Sequence, residues 1–282
     1  MKIAFTELEA GFLRHEHDAL TEIRALLPGP MRPSVPQALG LAEIGGNTVL
    51  TMEALAGRRL LVPDLNGSGG SLPRSLMGDF YRKSFAWSND LAVATSSSER
   101  LDGSHLAEVV DRYIVLAPLS AEAGGRLRSF RGALAESGVT WSTSWQHADL
   151  AVGNVLMHRG NLRLLDWEHA SDRSQPWFDL AHSVGATSRL AKRQSGAASS
   201  RFAAMSALGR SGWAGPVLRE ELERSWDNRM PLGWVIALSS MATAIRQAED
   251  ARMGADDWTE FAAALVVDDE LRFELPWMVP DW

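Results

Sequence analysis

The stretch from Gln146 to Ala181, QHADLAVGNVLMHRGNLRLLDWEHASDRSQPWFDLA, constrains the fold more than any other part of the chain. Two apolar runs within it, Asn154–Met157 and Leu162–Trp167, are too short for helices and read as strands. Gly160 and Asn161 lie between them as a tight turn, so the segment is expected to fold back as a hairpin. Polar residues punctuate the ends of these runs. His147, Asp149 and Asn154 form H-x-D-x-x-x-x-N, and Asp166 follows Asp149 by 17 residues. A hairpin of that length returns Asp166 to the neighbourhood of Asp149 and Asn154.

Around this segment the pattern changes character. Met1–Phe5 is strand-like, and Glu7–Leu27 carries Phe12, Ala19, Leu20, Ile23 and Leu27 at helical spacing. Four prolines and a glycine make Leu26–Pro36 a loop. Strand-like runs Ala38–Ile44 and Asn47–Glu53 are separated by Gly45-Gly46, a hairpin signal, and Gly57 marks a further turn. Asp64–Pro73 reads as a flexible loop. Helical patterns then cover Arg74–Thr95, Leu106–Val115 and Ala121–Ser137, and return from Phe178 to Phe273 with breaks near Gly196, Gly212–Pro216, Met230–Pro231 and Gly254. The expected class is α+β: a small β-containing piece, a connector, and a mostly helical lobe carrying one hairpin.

Composition narrows the function. The 282 residues carry a formal net charge of −7, which excludes the basic field of a general nucleic-acid binder. With no cysteine there are neither disulfides nor thiolate metal sites. No uncharged apolar run reaches the roughly 18 residues of a membrane span, and the first ten residues lack a signal pattern, so a cytoplasmic protein without a membrane partner is expected. Three lysines stand against twenty-five arginines, so a lysine at a chemically useful position carries some weight.

Phosphoryl transfer needs a carboxylate to take the proton of the attacking hydroxyl, and oxygen ligands for Mg²⁺. Asp149, Asn154 and Asp166 supply those groups. Taken singly, Asp149 suits a helix cap and Asn154 a turn, and either role is common. Taken together, the segment resembles the catalytic core of the aminoglycoside phosphotransferase and choline kinase family, in which H-G-D-x-x-x-x-N is followed by an apolar hairpin ending in I-D-W-E and then by D-L-A. The matching residues here are His147-Ala148-Asp149 and Asn154, Leu165-Asp166-Trp167-Glu168, and Asp179-Leu180-Ala181. The resemblance implies a protein-kinase-like two-lobed fold, with Asp149 as catalytic base and Asn154 and Asp166 as Mg²⁺ ligands. It gives Asp179 a bracing role on the catalytic loop and His147 one as a loop brace. Ala148 stands where the family has glycine, and Ala151-Val152 where it often has His-Pro.

The same resemblance extends toward the N-terminus. Lys2 would be the phosphate-binding lysine and Glu16, 14 residues on, its helix partner. Val49–Gly57, with Met52, Glu53 and Leu55, would be the hinge against which the nucleobase of ATP or GTP rests. The expected division is a truncated N-lobe at 1–53, a hinge at 54–57 and a helical C-lobe at 58–282. No glycine-rich phosphate-covering loop precedes Lys2. That leaves three readings open: a misassigned start, strands supplied from elsewhere, or a degraded kinase.

The implied function is ATP-dependent phosphorylation of a hydroxyl on a small molecule: an aminoglycoside, an amino alcohol, a sugar or a similar metabolite. The rival is a kinase-like binding or scaffold protein without turnover. His158, His169 and His182 lack metal-ligand spacing and read as surface or structural. Asp227, Glu249, Asp250, Asp256 and Asp257 would suit a cationic acceptor, but such residues more often serve solubility.

Overall fold

The computed structural model describes residues 1–60, 74–195, 204–205, 207–209, 212, 214–225, 230–250 and 255–267. The expected loop Asp64–Pro73, Asp227 and the chain beyond Val267 lie outside the described residues.

The chain opens with β1 (Lys2–Ile3) and α1 (Glu7–Leu26). Thr6 starts α1 by accepting the N–H of Glu9 on its side chain, while the Glu9 carboxylate accepts the N–H of Thr6 and Phe5. This reciprocal box satisfies donors that have no partner within the helix. Next come β2 (Ala38–Ile44) and β3 (Asn47–Met52), joined by the expected turn at Gly45-Gly46, both with positive φ. The three strands form an antiparallel sheet in the order β1-β3-β2, with Lys2 opposite Leu50. Residues 53–57 lead to β4 (Arg58–Arg59), which pairs with the later hairpin. Gly57 is needed there because a Cβ would lie 2.8 Å from Cβ of Leu156. That close approach seats the connector on the hairpin.

The helical part contains α2 (Arg74–Ala94), α3 (Gly103–Leu116), α4 (Ala121–Glu136), α5 (Phe178–Ser195), α6 (Gly215–Ser225), α7 (Leu232–Glu249) and α8 (Ala255–Val267). Helix α3 begins three residues earlier than the apolar pattern indicates. Asp102 caps it, accepting from Ser104 and His105 in its first turn. Short strands β5 (Arg100–Asp102), β6 (Thr140–Ser142), β7 (Ser144–Gln146) and β10 (Ser171–Ser174) are not evident from the sequence, because three or four residues are too few to establish a period.

The central hairpin is β8 (Val155–His158) and β9 (Asn161–Leu164). Its turn is Arg159-Gly160, with φ of 50° and 85°, one residue earlier than Gly160-Asn161. A two-residue turn of this kind needs positive φ at both central positions, and Asn161 instead pairs with His158. The second strand ends at Leu164 rather than running to Trp167, because Asp166 takes φ 66° and leaves the extended conformation.

One large core runs from α1 and α2 through the hairpin into α5, α7 and α8, with Trp167, Trp258, Tyr81, Tyr113 and Phe130 among its largest fully buried side chains. Ala4, Ala10, Leu13 and Leu50 form a smaller cluster beneath the first sheet. Helix α1 therefore touches both clusters, which fixes it between the sheet and the hairpin.

Candidate functional site

Glu16 lies on the buried face of α1 with Leu13, Leu20 and Ile23. A carboxylate on an apolar stripe must find partners. One oxygen accepts from Lys2 Nζ at 2.7 Å, and the other accepts the backbone N–H of Trp167 at 3.1 Å. Lys2 Nζ also donates to Asp166 Oδ1 at 2.5 Å. Strand, helix and hairpin end thus meet on one ammonium. Burial opposes the charge of Lys2, but Glu16 and Asp166 outweigh it and hold the group above its ordinary value. In Glu16 burial wins, and the carboxyl is pushed up. An open cleft lined in part by Lys2, Glu9, Phe12, Asp166 and Glu168 runs onto this junction.

Asp149 follows β7 in a loop held by Asp179. The two Asp179 oxygens accept the N–H groups of His147 and Ala148, each at 2.8 Å, and Asp179 is fully buried. Burial raises its carboxyl above the usual range. His147 accepts the Asp149 N–H at Nδ1 and therefore donates from Nε2 to the carbonyl of Leu165, at 2.8 Å. That bond ties the loop to the residue preceding Asp166. Ala148 has φ 61°, a conformation that costs a residue with a Cβ about 1–2 kcal/mol. Its carbonyl accepts from Arg246 Nη1 of α7 at 2.8 Å.

Both Asp149 oxygens are engaged. Oδ2 accepts Asn154 Nδ2 at 2.8 Å, and Oδ1 faces His182 Nε2 at 3.2 Å. Burial alone would raise the Asp149 carboxyl. The hydrogen bond and charge of His182, aided by Arg246, overcome this and hold it well below the usual carboxylate range. It is thus an ionised acceptor at neutral pH, the state a proton-accepting base requires.

Asn154 commits its amide nitrogen to Asp149, which turns its carbonyl oxygen away from that contact. Asp166 uses Oδ1 on Lys2 and keeps a second oxygen. Among the described residues no group of three or more His, Cys, Asp or Glu side chains could hold a metal. One carboxylate and one amide oxygen suit Mg²⁺, which completes its shell with water and substrate phosphate. The donor set fits that ion.

The structure therefore brings Lys2, Glu16 and Asp166 together, and Asp149 with Asn154, while His147 bridges the two groups through Leu165. Met52 ends β3 opposite Ala38. Glu53 donates its N–H to Gln37 O at 2.8 Å, and Leu55 lies in the connector ahead of Gly57. Sequence reasoning passed over Arg246 and read His182 as surface or structural. His182 is buried, 1% exposed, on the face of α5 that Asp179 occupies one turn earlier. That spacing was the available signal.

A family model described as the phosphotransferase enzyme family matches residues 1–216. Among solved structures, a ternary complex of a thermostable mutant of aminoglycoside phosphotransferase APH(4)-Ia with ADP and hygromycin B is similar at 13% identity. The match covers 91% of this chain and 82% of that one, with a TM-score of 0.58. The apo form of such a mutant aligns at 15% identity over 92% and 84% of the two chains, TM-score 0.55. Aminoglycoside-3'-phosphotransferase of type VIII aligns at 16% over 86% and 83%, TM-score 0.51. Identities this low speak for the fold, which is the kinase-like α+β fold. No sequence among the curated proteins matches the chain.

Proposed function

The chain belongs to the phosphotransferase enzyme family, and on that footing we propose that it transfers the γ-phosphate of ATP to a hydroxyl of a small molecule. The observation that carries this reading is the ionised Asp149 carboxylate, pinned on both oxygens yet only partly buried, in a loop tied to Asp166. Each carboxylate oxygen has a second lone pair, so one remains for an incoming hydroxyl. The acceptor O–H donates to Asp149, its oxygen bonds to the γ-phosphorus as the bond to the β-bridging oxygen breaks, and the proton passes to the carboxylate. Lys2, held by Glu16, supplies positive charge for the phosphates. Asn154 and Asp166 would hold Mg²⁺, whose charge offsets that building on the phosphate oxygens. In this reading 1–53 form the nucleotide-covering lobe, 54–57 the hinge, with Met52, Glu53 and Leu55 beside the nucleobase, and 58–282 the catalytic and acceptor-binding lobe.

The test is transfer of label from γ-labelled ATP, with Mg²⁺, to a panel of hydroxyl acceptors that includes hygromycin B, glucosamine and amino alcohols. Labelled acceptor is expected with at least one of them. Asp149→Asn should lower the rate by about 10²–10⁴-fold, the usual worth of a positioned base. Nucleotide binding with no labelled acceptor would instead favour the binding or scaffold reading.

A further inference from the structure

His182 has entered so far only as the partner of Asp149 Oδ1, yet its surroundings are those of a site residue. The ring is buried between Phe178, at 6.2 Å and 16°, and Trp258, at 5.0 Å and 26°. Gly185, one turn further along α5, makes room for that Trp258. A Cβ there would lie 2.0 Å from the indole. The stack fixes the plane of the imidazole, and its two nitrogens then face fixed partners. Nδ1 lies 3.1 Å from Thr243 Oγ1, and Nε2 lies 3.2 Å from Asp149 Oδ1. At 3.2 Å a carboxylate oxygen facing a ring nitrogen accepts from it, so Nε2 carries the proton of this contact. The Thr243 hydroxyl gives its proton to the Ser239 carbonyl at 2.8 Å and so offers Nδ1 an acceptor, while the requirement at Nε2 is set by Asp149.

We propose that His182 is a positioning residue for the phosphotransfer: its Nε2–H, held in place by the Phe178–Trp258 stack and Thr243, fixes the Asp149 carboxylate from the side opposite Asn154. Two donors on two different oxygens stop rotation of the carboxylate about its terminal torsion. Asn154 alone would leave Oδ1 free to swing, and a base displaced by about 1 Å can lose about 10²-fold in rate. Arg246 completes the frame by holding the Ala148 carbonyl from the next helix. The inference rests on the proposed phosphotransfer.

Two variants separate positioning from packing. His182→Phe keeps a ring in the stack and removes the N–H, whereas His182→Gln places an amide N–H close to the position of Nε2. Turnover would be measured with Mg²⁺–ATP and water as the acceptor, alongside thermal melting. His182→Phe is expected to lower kcat by about 10²-fold with the KM for ATP within about twofold of wild type, and His182→Gln to recover most of the loss. Nitrogen-detected histidine NMR on the nucleotide-free chain gives an independent reading: Nε2 of His182 should be protonated and should shift in Asp149→Asn. An unprotonated or unmoved Nε2 overturns the pairing and leaves the phosphotransferase reading intact. Wild-type turnover with an unchanged kcat in His182→Phe overturns the inference in the same way. Equal losses in both variants would make the role one of packing and also overturn it. Absence of wild-type turnover to water, together with no labelled product from the acceptor panel, would remove both readings together.

Discussion

Ala148 shows how one residue stores strain beside reacting groups. It adopts the left-handed conformation that glycine takes freely, and Asp179 and Arg246 hold it there through its N–H and carbonyl. Ala148→Gly should therefore stabilise the protein by about 0.5–1 kcal/mol, since relief of about 1–2 kcal/mol exceeds the extra chain entropy glycine loses on folding. Chemical denaturation would show this as a higher midpoint with an unchanged slope. Lys2 gives a prediction in pH. Its folded value lies above the ordinary 10.5, so its contribution is fully present below 10.5 and is lost as pH rises through the folded value. The melting temperature of the wild type should fall more steeply above pH 10.5 than that of Lys2→Met; parallel curves would contradict the ion pair. Residues of this kind differ in how legible they were. Asp149, Asn154, Asp166 and Asp179 share one short segment whose spacing carries the chemistry. Lys2 and Glu16 are closed into a site by Asp166, 164 residues beyond Lys2, a contact that no local pattern encodes.

At the scale of elements, apolar periodicity and turn residues located the long helices and both hairpins, because those signals are local. The ends moved where a side chain intervened, as at Asp102, which extends α3 toward its start, and at Asp166, which ends β9. The short strands β5, β6, β7 and β10 form only because partners distant in sequence complete them: β5 pairs with β6 and β7 with β10. His182 and Thr243 are likewise joined only when α5 and α7 pack together. The packing of α5 against α8 depends on the missing side chain at Gly185. Gly185→Ala would drive a methyl into Trp258 and should cost about 1–3 kcal/mol, the usual penalty of overpacking. Tryptophan fluorescence would report the displaced indole, and a melting temperature equal to wild type would contradict this contact.

Across the whole molecule, the β1-β3-β2 sheet with α1 forms one side of the cleft and the hairpin with the helices the other, and Lys2 joins them through Glu16 and Asp166. No described helix is long and apolar enough to cross a membrane. In the proposed function these two sides make one site for a metal-bound nucleotide. Isothermal titration of the 282-residue chain with Mg²⁺–ATP, beside an Asp166→Ala variant of matched melting temperature, tests it most directly. Saturable binding by the wild type, lost in the variant, is the expected result. No binding by the intact chain, or equal affinity in the variant, would contradict it.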